Sequence, residues 1–260
     1  MFRSRLLLVA FLVAAVSPVA WSQGGGVGVV LLHGKGSGPG TPGMQALVSA
    51  LEGGGHVVSA PEMAWSGSRM YDATYDESMS EIDQAVQALR QKGASKVVVA
   101  GQSMGANAAL GYAAARTGAD GIIAMAPGHT PELTQSRNNA AADVRRAKSL
   151  IEEGKGREKQ EFSDTNQGRR STVMATPEVY LSWFDSEGDA VMPKSAAAFK
   201  KPLPLLVIVG SRERLAKGQD YLFDKAPPHP GSRFMTVDAD HTGVPGASTD
   251  AILDWLGSLQ

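Results

Sequence analysis

From residue 27 onward the chain alternates short, almost wholly apolar runs with longer stretches in which apolar residues return every three or four positions. The runs "VGVVLLHG" (27–34), "HVVSAPEM" (56–63), "SKVVVAGQ" (95–102), "DGIIAMAPG" (120–128), "LPLLVIVGS" (203–211) and "SRFMTVDAD" (232–240) predict six strands. Several lack a clean apolar–polar alternation, which is expected of strands covered on both faces. Strands alternating with helical stretches predict an α/β fold, a mainly parallel sheet of about six strands with helices on both faces. Threonine–proline pairs mark helix starts, because the hydroxyl can cap the first turn and proline presets φ at the first helical position. Thr41-Pro42, Thr130-Pro131 and Thr176-Pro177 are three such signals, and after the second Ala140, Val144, Ala147 and Ile151 recur at helical spacing. Further helices are expected over about 77–91 and 248–259.

One segment breaks the rhythm. Residues 129–202 hold more chain than a single crossover needs, and within them "EKQEFSDTNQGRRSTVMA" places a turn at Asn166-Gln167-Gly168 between two short strand-like runs. The segment is expected to be a cap of helix, hairpin and short helix inserted over one edge of the sheet, within one domain spanning 23–260. No internal repeat or low-complexity tract interrupts it.

The first residues follow another logic. "MFRSRLLLVAFLVAAVSPVAWSQ" sets Arg3 and Arg5 before an apolar run that ends near Val16, then breaks at Pro18 and reaches the small residues Ala20 and Ser22. That layout predicts a signal peptide over 1–22, and hence an exported protein, periplasmic or extracellular. The apolar run falls short of the roughly 20 residues needed to span a bilayer, so no stable membrane span is expected after cleavage. Without residues 1–22 the formal charge moves from -1 to -3, which offers no basic footprint for nucleic acid. Cysteine is absent, excluding disulfides and thiol catalysis, and the histidines lack the spacing of a metal site.

The candidate chemistry lies at "GQSMG", 101–105, where a strand-like run passes into the helix-forming "ANAALGYAAA". With 30 glycines in the chain, chance alone supplies on the order of 0.3 such GxSxG matches. Context raises its value: a sharp strand-to-helix turn lifts a serine hydroxyl above the sheet and aims the N–H groups of the helix start at the same place. Here the chain resembles the α/β-hydrolase family over nearly all of 27–260. The resemblance implies an α/β-hydrolase fold with an inserted cap, a serine nucleophile at Ser103 and oxyanion-hole N–H groups from Met104 and, after "LLHG", from Lys35. It also implies an order of serine, acid, histidine. His241 in "VDADHTGVP" falls past the last strand and Glu213 in "LLVIVGSRER" in the loop after the preceding one, so these are the implied base and acid. Aspartate is commoner than glutamate at the acid position. Asp185 and Asp189 stay as alternative acids, whereas Asp240 adjoins His241 in an extended segment and points away from it. His33 is expected to hold the oxyanion loop, and His56, His129 and His229 have no assigned part.

The implied reaction is cleavage of a carboxylic ester or related acyl bond of a small molecule, with no cofactor. The cap is expected to set substrate preference, with Met192, Tyr180, Trp183 and Phe184 as apolar lining and Trp65 at the mouth. Two other functions fit some of these residues. One is a catalytically silent hydrolase fold that binds a ligand. The other is a dinucleotide site at "GPGTPG", 38–43, with Glu62 as its ribose acid, although Pro39 and Pro42 remove N–H donors that a pyrophosphate would use.

Overall fold

A computed structural model describes residues 26–214 and 218–259. The predicted signal peptide at 1–22 lies outside the described residues. Eight strands are present among them: β1 (Gly28–Leu32), β2 (Val57–Ser59), β3 (Val97–Gln102), β4 (Gly121–Met125), β5 (Gln160–Asn166), β6 (Arg169–Ala175), β7 (Leu205–Gly210) and β8 (Arg233–Val237). The helices are α1 (Pro42–Gly53), α2 (Tyr75–Gln91), α3 (Met104–Ala115), α4 (Thr134–Glu152), α5 (Pro177–Phe184), α6 (Met192–Ala197), α7 (Gln219–Leu222), α8 (Val244–Ala247) and α9 (Thr249–Gly257). None is long and apolar enough to cross a membrane.

Six strands form one fully parallel sheet in the order β2-β1-β3-β4-β7-β8, each lying within a run read as a strand from sequence, although β2 takes up only Val57–Ser59 of the run 56–63. The strand direction of growth reverses between β1 and β3, so a crevice opens at their carboxyl ends, the place where open α/β sheets hold ligands. The period-two geometry of a strand explains the near-continuous apolar runs. Val97 and Val99 of β3 join a core with Ile82, Val86 and Leu110 from α2 and α3, whereas Val98 and Ala100 face the opposite core with Leu47, Leu51 and Trp255 from α1 and α9. Helix α3 is buried along most of its length, which is why its sequence is rich in alanine and glycine and carries no charge.

The chain between β4 and β7, read from sequence as a cap of helix, hairpin and short helix, holds α4, the separate antiparallel hairpin β5–β6, then two short helices, α5 and α6. Gln167 and Gly168 both have positive φ, 50° and 79°, which is the twist a two-residue hairpin loop needs to match its strands. One helix start is corrected. Thr130-Pro131 does not open α4; Leu133 N–H donates to the Thr130 carbonyl in a tight turn, and α4 begins only at Thr134. Thr176 does cap α5 through its hydroxyl, while Thr41 precedes α1 without a side-chain cap and donates to Gly38 O instead.

The glycines of the fingerprint at 38–43 border open space. A Cβ on Gly38, Gly40 or Gly43 would meet nothing within 4 Å, so no close backbone approach calls for glycine there. The glycines flanking Ser103 differ: a Cβ on Gly105 would lie 2.3 Å from Leu32 O, and one on Gly101 2.1 Å from Gly105 O. Gly105→Ala is therefore expected to cost at least about 2 kcal/mol of stability, and Gly43→Ala to change it by about 1 kcal/mol or less, in the stabilising direction. Urea unfolding of the two variants checks the contrast.

Candidate active site

The turn between β3 and α3 holds Ser103 at φ 57° and ψ -113°, a conformation that L-residues rarely adopt. It is fixed from both sides, by Ser103 N–H donating to Met125 O (2.9 Å) and Gly128 N–H donating to Ser103 O (3.1 Å). The strain lifts the Ser103 hydroxyl out of the sheet into the crevice. There Ser103 Oγ lies 2.8 Å from His241 Nε2, and His241 Nδ1 lies 2.8 Å from Glu213 Oε2. The second Glu213 oxygen accepts from Gly210 N–H at 2.8 Å, which pins the carboxylate at the end of β7.

The three residues singled out in sequence thus meet in one hydrogen-bonded chain. The alternative acids stand elsewhere: Asp185 pairs with Lys148 (2.9 Å), Asp189 with Lys194 (3.3 Å), and Asp240 accepts from Thr242 and Gly243 in the turn that leads to α8. Neither the Lys35 N–H nor the Met104 N–H has a hydrogen-bond acceptor among the described residues. Both follow the ends of strands that border the crevice, β1 and β3.

The loop after β1 is held by His33. Its Nε2 accepts from Met63 N–H (3.1 Å), so its Nδ1 carries the proton and donates to Gly34 O (2.9 Å). Burial lowers the His33 pKa and keeps the ring neutral. Gln102, which sequence reasoning passed over, spans to the histidine loop by donating to His241 O at 3.1 Å. A glutamine directly before the serine, at the end of a buried strand, was the available signal.

The Lys35 side chain reaches into the cap, where its ammonium meets Asp164 of β5 at 2.7 Å; the two side chains are only 8% and 5% exposed. Burial lowers the Lys35 pKa, against the opposing pull of Asp164. This pair joins the loop after β1 to the hairpin, a contact between residues 129 positions apart that no local pattern announces.

The cavity above Ser103 departs from expectation in its walls. Of the four residues expected to line it, only Phe184 does, beside Lys35, Asn139, Asp164, Thr165 and Arg214. Tyr180, Trp183 and Met192 are sealed in the core instead. Tyr180 stacks between Phe162 and Phe184 at 4.3 Å from each, and Trp183 donates its indole N–H to Ala73 O at 3.0 Å. A short cap helix with apolar residues on most of its faces turns the larger aromatics toward α2 and the hairpin. Trp65 is likewise not at the mouth: it is buried and donates to His33 O at 2.8 Å. No cluster of histidine or carboxylate side chains suited to a metal occurs among the described residues.

The sequence profile of the alpha/beta hydrolase family matches residues 29–254. No curated protein matches the chain significantly in sequence. Among solved structures, the monoacylglycerol lipase of Paleococcus ferrophilus superposes with a TM-score of 0.65 at 22% identity, over 90% of this chain and 95% of the lipase. A thermostable carboxyl esterase from Bacillus coagulans gives 0.64 at 16% identity, covering 90% of each chain. Est1E from Butyrivibrio proteoclasticus, solved with ferulic acid, gives 0.59 at 14% identity, over 90% of this chain and 89% of the other.

Removing one partner of a buried ion pair strands the other charge. Asp164→Ala is expected to lower the unfolding free energy by about 3–5 kcal/mol, and the double variant Lys35→Met/Asp164→Leu by clearly less. Chemical denaturation of both checks this. A second prediction concerns His129, whose pKa burial and the Lys35 charge pull down to about 3 from 6.5. The unfolded chain takes up this proton first, so the stability His129 contributes is complete above about pH 6.5 and is lost as the pH falls toward 3. Between pH 7 and pH 4.5 the urea midpoint of His129→Asn should fall less than that of the wild type. The match across residues 29–254, together with the parallel sheet and the serine at its central strand-to-helix turn, identifies the chain as a member of the alpha/beta hydrolase family.

Proposed function

We propose that the protein is an exported serine hydrolase that cleaves a carboxylic ester or related acyl bond. The observation that carries this reading is the continuous chain Ser103–His241–Glu213, with both links at 2.8 Å, on a strained turn facing a cavity. His241 Nε2 takes the hydroxyl proton as Ser103 Oγ bonds to the acyl carbon. Glu213 accepts from Nδ1–H, fixing the tautomer that leaves Nε2 basic and stabilising the imidazolium. Negative charge on the former carbonyl oxygen is met by the N–H groups of Lys35 and Met104, each worth roughly 3 kcal/mol in comparable sites. Collapse breaks the bond to the alcohol, which leaves with the proton from His241. Water then gives a proton to His241 and its oxygen to the acyl carbon, and collapse of that adduct returns the proton to Ser103 and frees the acid. The reaction calls for no cofactor. Export follows from the signal-peptide pattern at 1–22 and is tested by N-terminal sequencing of the mature protein.

A fluorophosphonate probe reports the nucleophile directly. The wild type is expected to label and Ser103→Ala not to label; persistent labelling of the variant would overturn the assignment. Glu213→Gln should retain the fold and lose about 10³–10⁴-fold in kcat, since an amide favours the wrong histidine tautomer. Full activity in that variant would remove Glu213 from the mechanism.

A further inference from the structure

His129 stands one residue past Gly128, whose position is so close to the nucleophile that a Cβ there would lie 2.5 Å from Ser103 Oγ. His129 lines the same cavity as Ser103, yet the reaction above gives it no part. Its backbone is in the left-handed region, φ 62°, which is unfavourable for a residue with a Cβ. The fold holds it there: the buried Asn107 of α3 donates to His129 O at 2.9 Å and to Ala190 O at 2.7 Å, and Asn107 Oδ1 accepts from Tyr75 at 3.0 Å. The ring packs edge-on against Phe184, with centroids 5.2 Å apart.

The ring's hydrogen bonding fixes its tautomer. His129 Nε2 lies 2.7 Å from Trp183 O. A carbonyl oxygen only accepts, so Nε2 carries the proton and Nδ1 bears a lone pair. Nδ1 has no hydrogen-bond partner among the described residues, and it is not sealed from solvent as His56 Nδ1 is. Burial and the Lys35 ammonium oppose a second proton on the ring, which keeps Nδ1 an acceptor at neutral pH. Most of the side chains around the cavity carry polar groups, and its apolar ones are Pro131, Ala140 and Phe184.

Resting on the serine-hydrolase reading, we propose that His129 is a specificity-determining residue whose Nδ1 accepts a hydrogen bond from a hydroxyl on the bound ester. The preferred substrates are then esters that carry such a hydroxyl. An ester without that hydroxyl drives out the solvent at Nδ1 and returns no donor, which costs about tenfold or more in discrimination. The hydroxyl can belong to the acyl half or to the alcohol half, and the two are separable by experiment.

The test measures kcat/KM by pH-stat for methyl butyrate, methyl 3-hydroxybutyrate and 2-hydroxyethyl butyrate. The wild type is expected to favour one of the hydroxylated esters over methyl butyrate by about tenfold or more, and which one identifies the half of the ester that His129 reads. His129→Phe keeps a ring of similar shape but offers no acceptor. It should bring that ratio close to one while Ser103 still takes the fluorophosphonate label. If His129→Phe does not fold, His129→Asn, which suits the left-handed backbone and draws the acceptor back, is expected to lose the preference in the same way. A wild type that labels at Ser103 but treats the three esters alike overturns this inference and leaves the hydrolase reading standing. A preference unchanged in the variants also overturns it. A wild type that neither labels nor hydrolyses any of the three esters removes the underlying reading itself.

Discussion

The strained turn at Ser103 is the constraint on which the rest of the molecule depends. A positive φ at a residue with a Cβ persists only where its surroundings leave no alternative. Here those surroundings are the hydrogen bonds to Met125 and from Gly128 and the close passage of Gly105 beneath Leu32 O. They demand that β1, β3 and β4 lie side by side and that α3 start at once after the serine. Fully buried strands and an alanine-rich, charge-free α3 are the sequence's means of packing these elements so closely. The order of causes runs from two-sided apolar strands to a tight parallel sheet, and from that sheet to a preoriented hydroxyl that faces the cavity.

Three loops converge on the hydroxyl, and each is anchored away from the reacting atoms. Gly210 N–H fixes Glu213, Gln102 holds the carbonyl of His241, and His33 secures the loop that carries Lys35. Holding the groups in place before the substrate arrives lets electrostatic stabilisation act without reorganisation. The buried Lys35–Asp164 pair extends this to the cap, so that the hairpin over the cavity and the loop after β1 share one ionic link. Buried pairs contribute little net stability compared with apolar substitutes.

Much of this was legible in the sequence because it depends on short-range pattern. The six sheet strands announce themselves as apolar runs and the hairpin turn as Asn-Gln-Gly, while Ser103, Glu213 and His241 are implied by the resemblance to the α/β-hydrolase family. The misreadings share one cause, which is that tertiary packing decides among side chains of similar type. Tyr180, Trp183 and Phe184 lie within one helix, and only the partners of α5 determine that Phe184 reaches the cavity while the others are sealed. Thr130-Pro131 carries a sound local signal for a helix, yet the turn after His129 uses it otherwise. His129 itself shows nothing unusual in sequence; its backbone angle, its bond to Trp183 and its place beside Ser103 appear only in three dimensions.

The central claim, that Ser103 is acylated during turnover, is tested most directly by rapid mixing with 4-nitrophenyl acetate followed by acid quenching and peptide mass spectrometry. The account predicts a burst of about one nitrophenolate per chain and an acetyl group on the peptide that contains Ser103. Steady release of nitrophenolate with no burst and no acetylated peptide, or an acetyl group carried by another residue, would contradict it.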